Sequence, residues 1–202
     1  MSTSKLMKDL LDVTKMVANR GWAPGSSGNT SVRIHGTEDV LIKSSGSSMS
    51  WIKSKDFVKV NLAGKTLDGK NKPSKEVQFH LGIYSKRAEI EAVIHAHPPF
   101  ATAWAIVGTQ PQLVTDPGKT ILKHVPMVES ATPGSIELAT MVTKAFEDKS
   151  VNTVLMKGHG VVTAGKSIFE AFNFMDWTED AARAALLTGY IEKLPLTTMS
   201  KV

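Results

Sequence analysis

Two histidines one residue apart, His95 and His97, close the run Val93-Ile94-His95-Ala96-His97, which stops at Pro98-Pro99. β-Branched residues favour strands and proline ends them, so Glu91 to His97 reads as a strand. Side chains alternate across a strand, which points both imidazoles to one side. Two imidazoles on a rigid element are half of a metal site. Catalytic zinc usually takes three protein ligands and leaves a position for water or substrate. Glu76 and His159 are the candidates to complete it, the latter set between Gly158 and Gly160. Those glycines leave the ring unobstructed and permit close backbone approach. A His-x-His pair alone is a weak motif, because a histidine on an apolar strand is usually a hydrogen-bonded core or surface residue.

Composition narrows the chemistry. A chain of 202 residues suits one domain, 1–202, and 42% hydrophobic with 21% charged residues is ordinary for a soluble globular protein. There is no cysteine. Disulfides and thiolate ligands are therefore excluded, and a transition metal must use His, Asp or Glu. No apolar run approaches the ~20 residues that cross a bilayer. Met1-Ser-Thr-Ser-Lys5 leads into an amphipathic helix and not an apolar signal core, so a cytoplasmic enzyme is expected. Net charge is +5, without a dense Lys/Arg run interleaved with aromatics. The expected partner is a small anionic substrate, with no nucleic acid and no membrane.

The elements that must position these groups follow from periodicity. Leu6, Leu10, Val13 and Val17 recur at helical spacing, giving a helix over Ser4 to Asn19 that stops at Gly21. A Gly/Ser/Asn-rich loop from Gly21 then enters a strand, Asn29 to His35. Such a loop either turns N–H groups and hydroxyls toward a phosphate or is a polar surface turn. A short strand, Asp39 to Lys43, opens into a second small-residue loop, Ser44 to Ser48. The two loops could hold one anion together, with Lys43 adding charge. Lys55 to Leu62 reads as a strand, with turns at Asn61 to Gly64 and at Asp68-Gly69. Ser74 is the expected cap of a helix over Val77 to Arg87, placing Glu76 in the first turn. A carboxylate there is either capping chemistry or a group projecting toward a site. His80, four residues on, lies over the same face and either orients Glu76 or is an ordinary helix residue.

Phe100 to Val107 reads as helix, Thr109 to Thr120 as loop and Leu122 to Val128 as strand. His35 and His124 are assigned to solvent or structure. Thr132 to Ser135 opens a helix carrying Ile136, Ala139, Val142 and Phe146. Strands over Thr153 to Met156 and Val161 to Thr163 flank the His159 turn. Ser167-Ile-Phe-Glu170 is a capping box opening a long helix to about Leu187 or Gly189. Phe169, Phe172, Phe174, Met175 and Trp177 spread round that helix beyond one stripe, so it is buried on two sides or packs on another subunit. The tail from Tyr190 is expected to be loosely held. Strands follow one another irregularly between helices, which predicts a mixed or mainly antiparallel sheet flanked by helices.

Four ordered segments carry a resemblance: Gly28-Asn29-Thr30-Ser31-Val32-Arg33, Lys72-Pro73-Ser74-Lys75-Glu76, His95-Ala96-His97-Pro98-Pro99-Phe100 and Lys157-Gly158-His159-Gly160. Together they resemble the class II aldolase/adducin family, nearest its L-fuculose-1-phosphate aldolase branch, from about Asn19 to Leu187. The resemblance implies a three-layer α/β/α fold around a largely antiparallel sheet. It implies a homotetramer with active sites between subunits and one divalent metal per subunit, usually zinc, with Mn2+, Co2+ or Fe2+ as alternatives. His95, His97 and His159 would be metal ligands. Glu76 would bind the resting metal or swing away as base. Phosphate would sit among Ser27, Gly28, Asn29, Ser45, Gly46, Ser74 and Lys75. The implied reaction is reversible cleavage of a ketose 1-phosphate to dihydroxyacetone phosphate and an aldehyde. Decarboxylation of a 3-oxo-tetronate 4-phosphate, epimerisation or dehydration on the same metal site are the alternatives.

The chain departs from the aldolase pattern in three places. Lys75 replaces a small hydroxyl residue of the phosphate loop, and either contacts phosphate or marks a different acid substrate. The tyrosine that family aldolases contribute after the His-x-His helix is missing from Leu113-Val-Thr-Asp116-Pro-Gly, where either Asp116 takes a related role as proton donor or the step differs. The C-terminal tail also lacks a tyrosine that some aldolases contribute.

Overall fold

The computed structural model describes residues 3–192. Helix α1 (Thr3–Asn19) precedes β1 (Asn29–Arg33), β2 (Val40–Lys43), β3 (Phe57–Val60) and β4 (Thr66–Asp68). Then come α2 (Val77–Lys86), β5 (Ala92–Ala96), α3 (Pro99–Val107), β6 (Met127–Val128) and α4 (Ile136–Ala145). β7 (Thr153–Met156), β8 (Gly160–Gly165) and α5 (Ile168–Ile191) complete the described chain. The strands form a single sheet in the order β4-β3-β2-β1-β5-β8-β7-β6. Every pairing is antiparallel except β6 with β7. Hairpin connections make such neighbours easy, whereas a parallel pair needs a crossover, here α4.

Helices cover both faces. α1, α3 and α5 lie on one face, where Leu10, Val17, Ala101, Phe172 and Met175 pack with Ile94 and Val161. α2 and α4 cover the other, where Phe79, Ile83, Leu138 and Val142 pack with Val93 and Val162. This is the expected three-layer α/β/α arrangement. The alternation within β5 decides the geometry of the site. Ala92, Ile94 and Ala96 belong to the α1/α3/α5 core and Val93 to the α2/α4 core. His95 shares the parity of Val93, so its ring faces α2.

Three local expectations are corrected. Leu122 to Val128 is not one strand: Gly118–Leu122 forms a π-helical turn and only Met127–Val128 pairs. Pro126 has no N–H for a ladder, and Leu122 is buried in the core with α5. β4 overlaps the expected turn at Asp68-Gly69 only at Asp68 and is not expected as a strand, since all its residues are exposed. α5 runs on through Tyr190 to Ile191, and the rest of the tail, 193–202, lies outside the described residues. Among the described residues no helix is long and apolar enough to cross a membrane.

Candidate metal centre

Three chain segments bring the predicted imidazoles together. His95 sits at the end of β5 and is 1% exposed. His97 lies just past the strand, where its backbone N–H donates to the Trp22 carbonyl at 2.7 Å. His159 is in the β7–β8 turn, closed by its N–H donating to Met156 O at 2.9 Å. One nitrogen from each ring lies within 4.8 Å of the others. The His95 Nδ1–H donates to the Val161 carbonyl at 3.0 Å. That bond fixes the tautomer and leaves Nε2 bare, as a metal ligand requires. Gly160 is needed beside them: a Cβ there would lie 2.6 Å from His97 Cδ2 and 2.7 Å from Ala96 O.

Glu76 occupies the cap position of α2, yet its side chain makes no capping hydrogen bond. Ser74 takes that task, its hydroxyl accepting from the Glu76 N–H at 3.3 Å. The carboxylate is turned inward instead. Oε2 lies 3.4 Å from His95 Nε2, and Oε1 lies 3.6 Å from His159 Nε2. Asn29 Nδ2 donates to Oε2 at 2.8 Å. Burial opposes the charged form, but His95, the Asn29 donor, His159 and His80 outweigh it and hold the carboxyl below its usual range. Burial, then the neighbouring imidazoles, pushes His97 down to about 3, and burial likewise lowers His159. Imidazole nitrogens beside an ionised carboxylate are the donor set a divalent ion takes. Among the described residues, Glu76 Oε1 and His159 Nδ1 are buried without a hydrogen-bond partner, which leaves lone-pair atoms of the cluster unsatisfied. The residues fit a metal.

The two small-residue loops converge on the same place. Ser27, Gly28, Asn29, Ser45, Gly46, Ser74 and Lys75 line one cavity of about 330 Å³ with Glu76 and the three histidines. Gly28 has φ +69, and a Cβ there would meet His95 O at 2.9 Å, so the first loop lies directly on the metal strand. Lys43 also lines the cavity. Its ammonium donates to the carbonyls of Ser26 at 3.2 Å and Ser44 at 3.4 Å. Burial lowers it to about 8, against the opposing pull of Glu76 and Asp56. Two site expectations need amending, whereas Lys43 lies where its strand-end position placed it, beside both loops. The Asn29 carboxamide is already engaged, with Nδ2 on Glu76 and Oδ1 on His80. Asp116 is exposed at the start of the π-helical turn and does not line this cavity. His35 faces Glu91 at 3.6 Å and His124 is exposed, both outside the site.

Known proteins carry the same arrangement of elements. The family described as "Class II Aldolase and Adducin N-terminal domain" matches residues 8–186. An L-fuculose phosphate aldolase of Methanocaldococcus jannaschii is 31% identical over 186 residues, covering 92% of this chain and 98% of that one. A 3-oxo-tetronate 4-phosphate decarboxylase of Pectobacterium atrosepticum is 33% identical, covering 84% of this chain and 78% of its own. The solved structure of an L-fuculose 1-phosphate aldolase superposes with a TM-score of 0.83 at 28% identity, over 99% of this chain and 95% of that one. A match spanning nearly the whole chain, joined to this degree of identity, means that the protein belongs to the class II aldolase and adducin family.

Proposed function

We propose that this chain is a zinc-dependent, cytoplasmic sugar-phosphate aldolase acting as a single domain. It reversibly cleaves a ketose 1-phosphate of the L-fuculose 1-phosphate kind to dihydroxyacetone phosphate and an aldehyde. The observation that carries the reading is the junction of two sites in one cavity: a histidine triad with Glu76, and an anion cradle of two small-residue loops with Lys43. His95, His97 and His159, with Glu76 in the resting state, would hold a divalent cation, which would supply Lewis-acid stabilisation of negative charge on substrate oxygens. Ser27, Gly28, Ser45, Gly46, Ser74 and Lys75 bind the phosphate, and that remote binding energy positions the reacting carbons. Glu76 is the acid–base group. In cleavage its carboxyl returns a proton to the carbon that loses the bond, and in condensation its carboxylate removes it.

Asp116 lies outside the cavity of its own chain, so as a proton donor it serves from a neighbouring copy. Ile106, Val107, Leu186, Leu187 and Tyr190 are exposed apolar residues at the ends of α3 and α5, which supports a homotetramer with sites between subunits. A second reading, decarboxylation of a phosphorylated oxo-acid on the same metal, is favoured by Lys75 on the cradle and by the decarboxylase relative. The test is release of dihydroxyacetone phosphate from fuculose, rhamnulose and ribulose 1-phosphates, with and without chelator. Carbon dioxide release from a phosphorylated oxo-acid, with no aldol cleavage, replaces the first reading by the second.

A further inference from the structure

α2 lays a ladder of polar side chains along β1. Glu76, His80 and Tyr84 fall at i, i+4 and i+8 and form one stripe of the helix. Asn29 and Ser31 fall at i and i+2 and share one face of the strand. Four residues of helix advance about 6 Å and two residues of strand about 6.6 Å, so the stripes keep step. The rungs interlock. Tyr84 Oη and Ser31 Oγ are 2.7 Å apart, and Ser31 Oγ and His80 Nδ1 are 2.7 Å apart. His80 Nε2 meets Asn29 Oδ1, and Asn29 Nδ2 meets Glu76 Oε2 at 2.8 Å. Ser31 and His80 are fully buried, and Tyr84 and Asn29 nearly so.

Only one polarity satisfies every rung. An ionised carboxylate only accepts, so Asn29 turns its NH2 to Glu76 and its carbonyl to His80. A carbonyl only accepts, so His80 carries its proton on Nε2. Burial without a touching carboxylate keeps that ring neutral, and Nδ1 then accepts from the Ser31 hydroxyl. Ser31, having donated, accepts from Tyr84. The chain therefore donates in one direction and ends on Oε2. Among the described residues Glu76 Oε1 receives no hydrogen bond.

We propose that Tyr84, Ser31 and His80 are positioning residues. Through Asn29 they pin Glu76 Oε2 and leave Oε1 as the oxygen that exchanges protons with substrate. The proposal rests on the assigned role of Glu76, but its hydrogen-bond polarity stands apart from the reaction. Nitrogen-15 labelling of histidine in the wild-type chain reads the polarity. The expected result at neutral pH is His80 protonated on Nε2 alone. An Nδ1–H tautomer or an imidazolium overturns the proposal, whatever the chain turns over. In steady-state kinetics, His80→Ala is expected to lose about 10- to 100-fold in kcat with KM and metal content unchanged. His80→Gln can give an N–H to Asn29 and accept from Ser31, and recovers most of that loss. Equal losses in both variants, or a change in KM with kcat intact, overturn the positioning role. A wild-type chain inert toward every sugar phosphate removes the proposed function and leaves the tautomer result to decide the network. The labelling experiment uses the unmodified protein, so it decides even if His80→Ala does not fold.

Discussion

One methyl group at Gly160 tests whether the histidine cluster is a metal centre. In Gly160→Ala the new Cβ would lie 2.6 Å from His97 Cδ2, 2.7 Å from Ala96 O and 3.3 Å from His95 Cε1. Ordinary contact begins at 3.4 Å, so the His97 ring must retreat by 3.4 − 2.6 = 0.8 Å unless the strand moves. The carbonyl of Ala96 belongs to the β5–β8 ladder and yields little. A metal–ligand distance tolerates about 0.2 Å before the bond weakens, so the displacement is several times what a bound ion accepts. Metal affinity is expected to fall at least about tenfold, and stability by about 1–3 kcal/mol from overpacking. Gly158→Ala is the control on the other side of His159. Its Cβ meets nothing closer than Ser130 Oγ at 4.0 Å, but its φ is +69, which favours glycine. That variant should lose about 1–2 kcal/mol of stability and keep its metal. Calorimetric titration with zinc gives the affinities, and urea unfolding of the metal-free proteins gives the stabilities. Wild-type zinc affinity in a folded Gly160→Ala would refute the idea that these rings converge on one ion.

His97→Ala should lose bound metal and activity yet stay folded, since the ring is only partly buried; metal analysis with circular dichroism checks both, and normal metal content counts against the site. Glu76→Gln should keep its metal and lose about 10²- to 10⁴-fold in turnover, the usual worth of a general acid–base group. Surviving turnover would reduce Glu76 to a structural residue. Lys43 is held at about 8, so it is cationic below that pH and neutral above it. Competitive inhibition by inorganic phosphate should therefore weaken as pH rises through about 8, and Lys43→Met should remove that step. A pH-independent inhibition constant in the wild type would take Lys43 out of the cradle.

The sequence by itself marked the candidate ligands and the layers. The His95/His97 parity needs only the two-residue period of a strand, and the apolar spacing in α1 and the cap at Ser167 place the helices that cover the sheet. The Gly-His-Gly turn marked His159 because glycine signals close approach, and the 2.6 Å and 2.7 Å contacts at Gly160 give that signal its cause. Other readings were ambiguous in one dimension. A glutamate at the start of a helix satisfies capping rules whether or not it caps, and only the packing of α2 on β1 turned Glu76 inward. His80 and Asn29 stand 51 positions apart, and no local rule says that a four-residue step on one element will meet a two-residue step on another. β4 escaped periodicity because it is wholly exposed, and the π-helical turn at Gly118–Leu122 because it buries only its two ends, Gly118 and Leu122. Residue chemistry and local period are written along the chain, whereas the partner of a buried polar group is decided by which surfaces meet when the layers close.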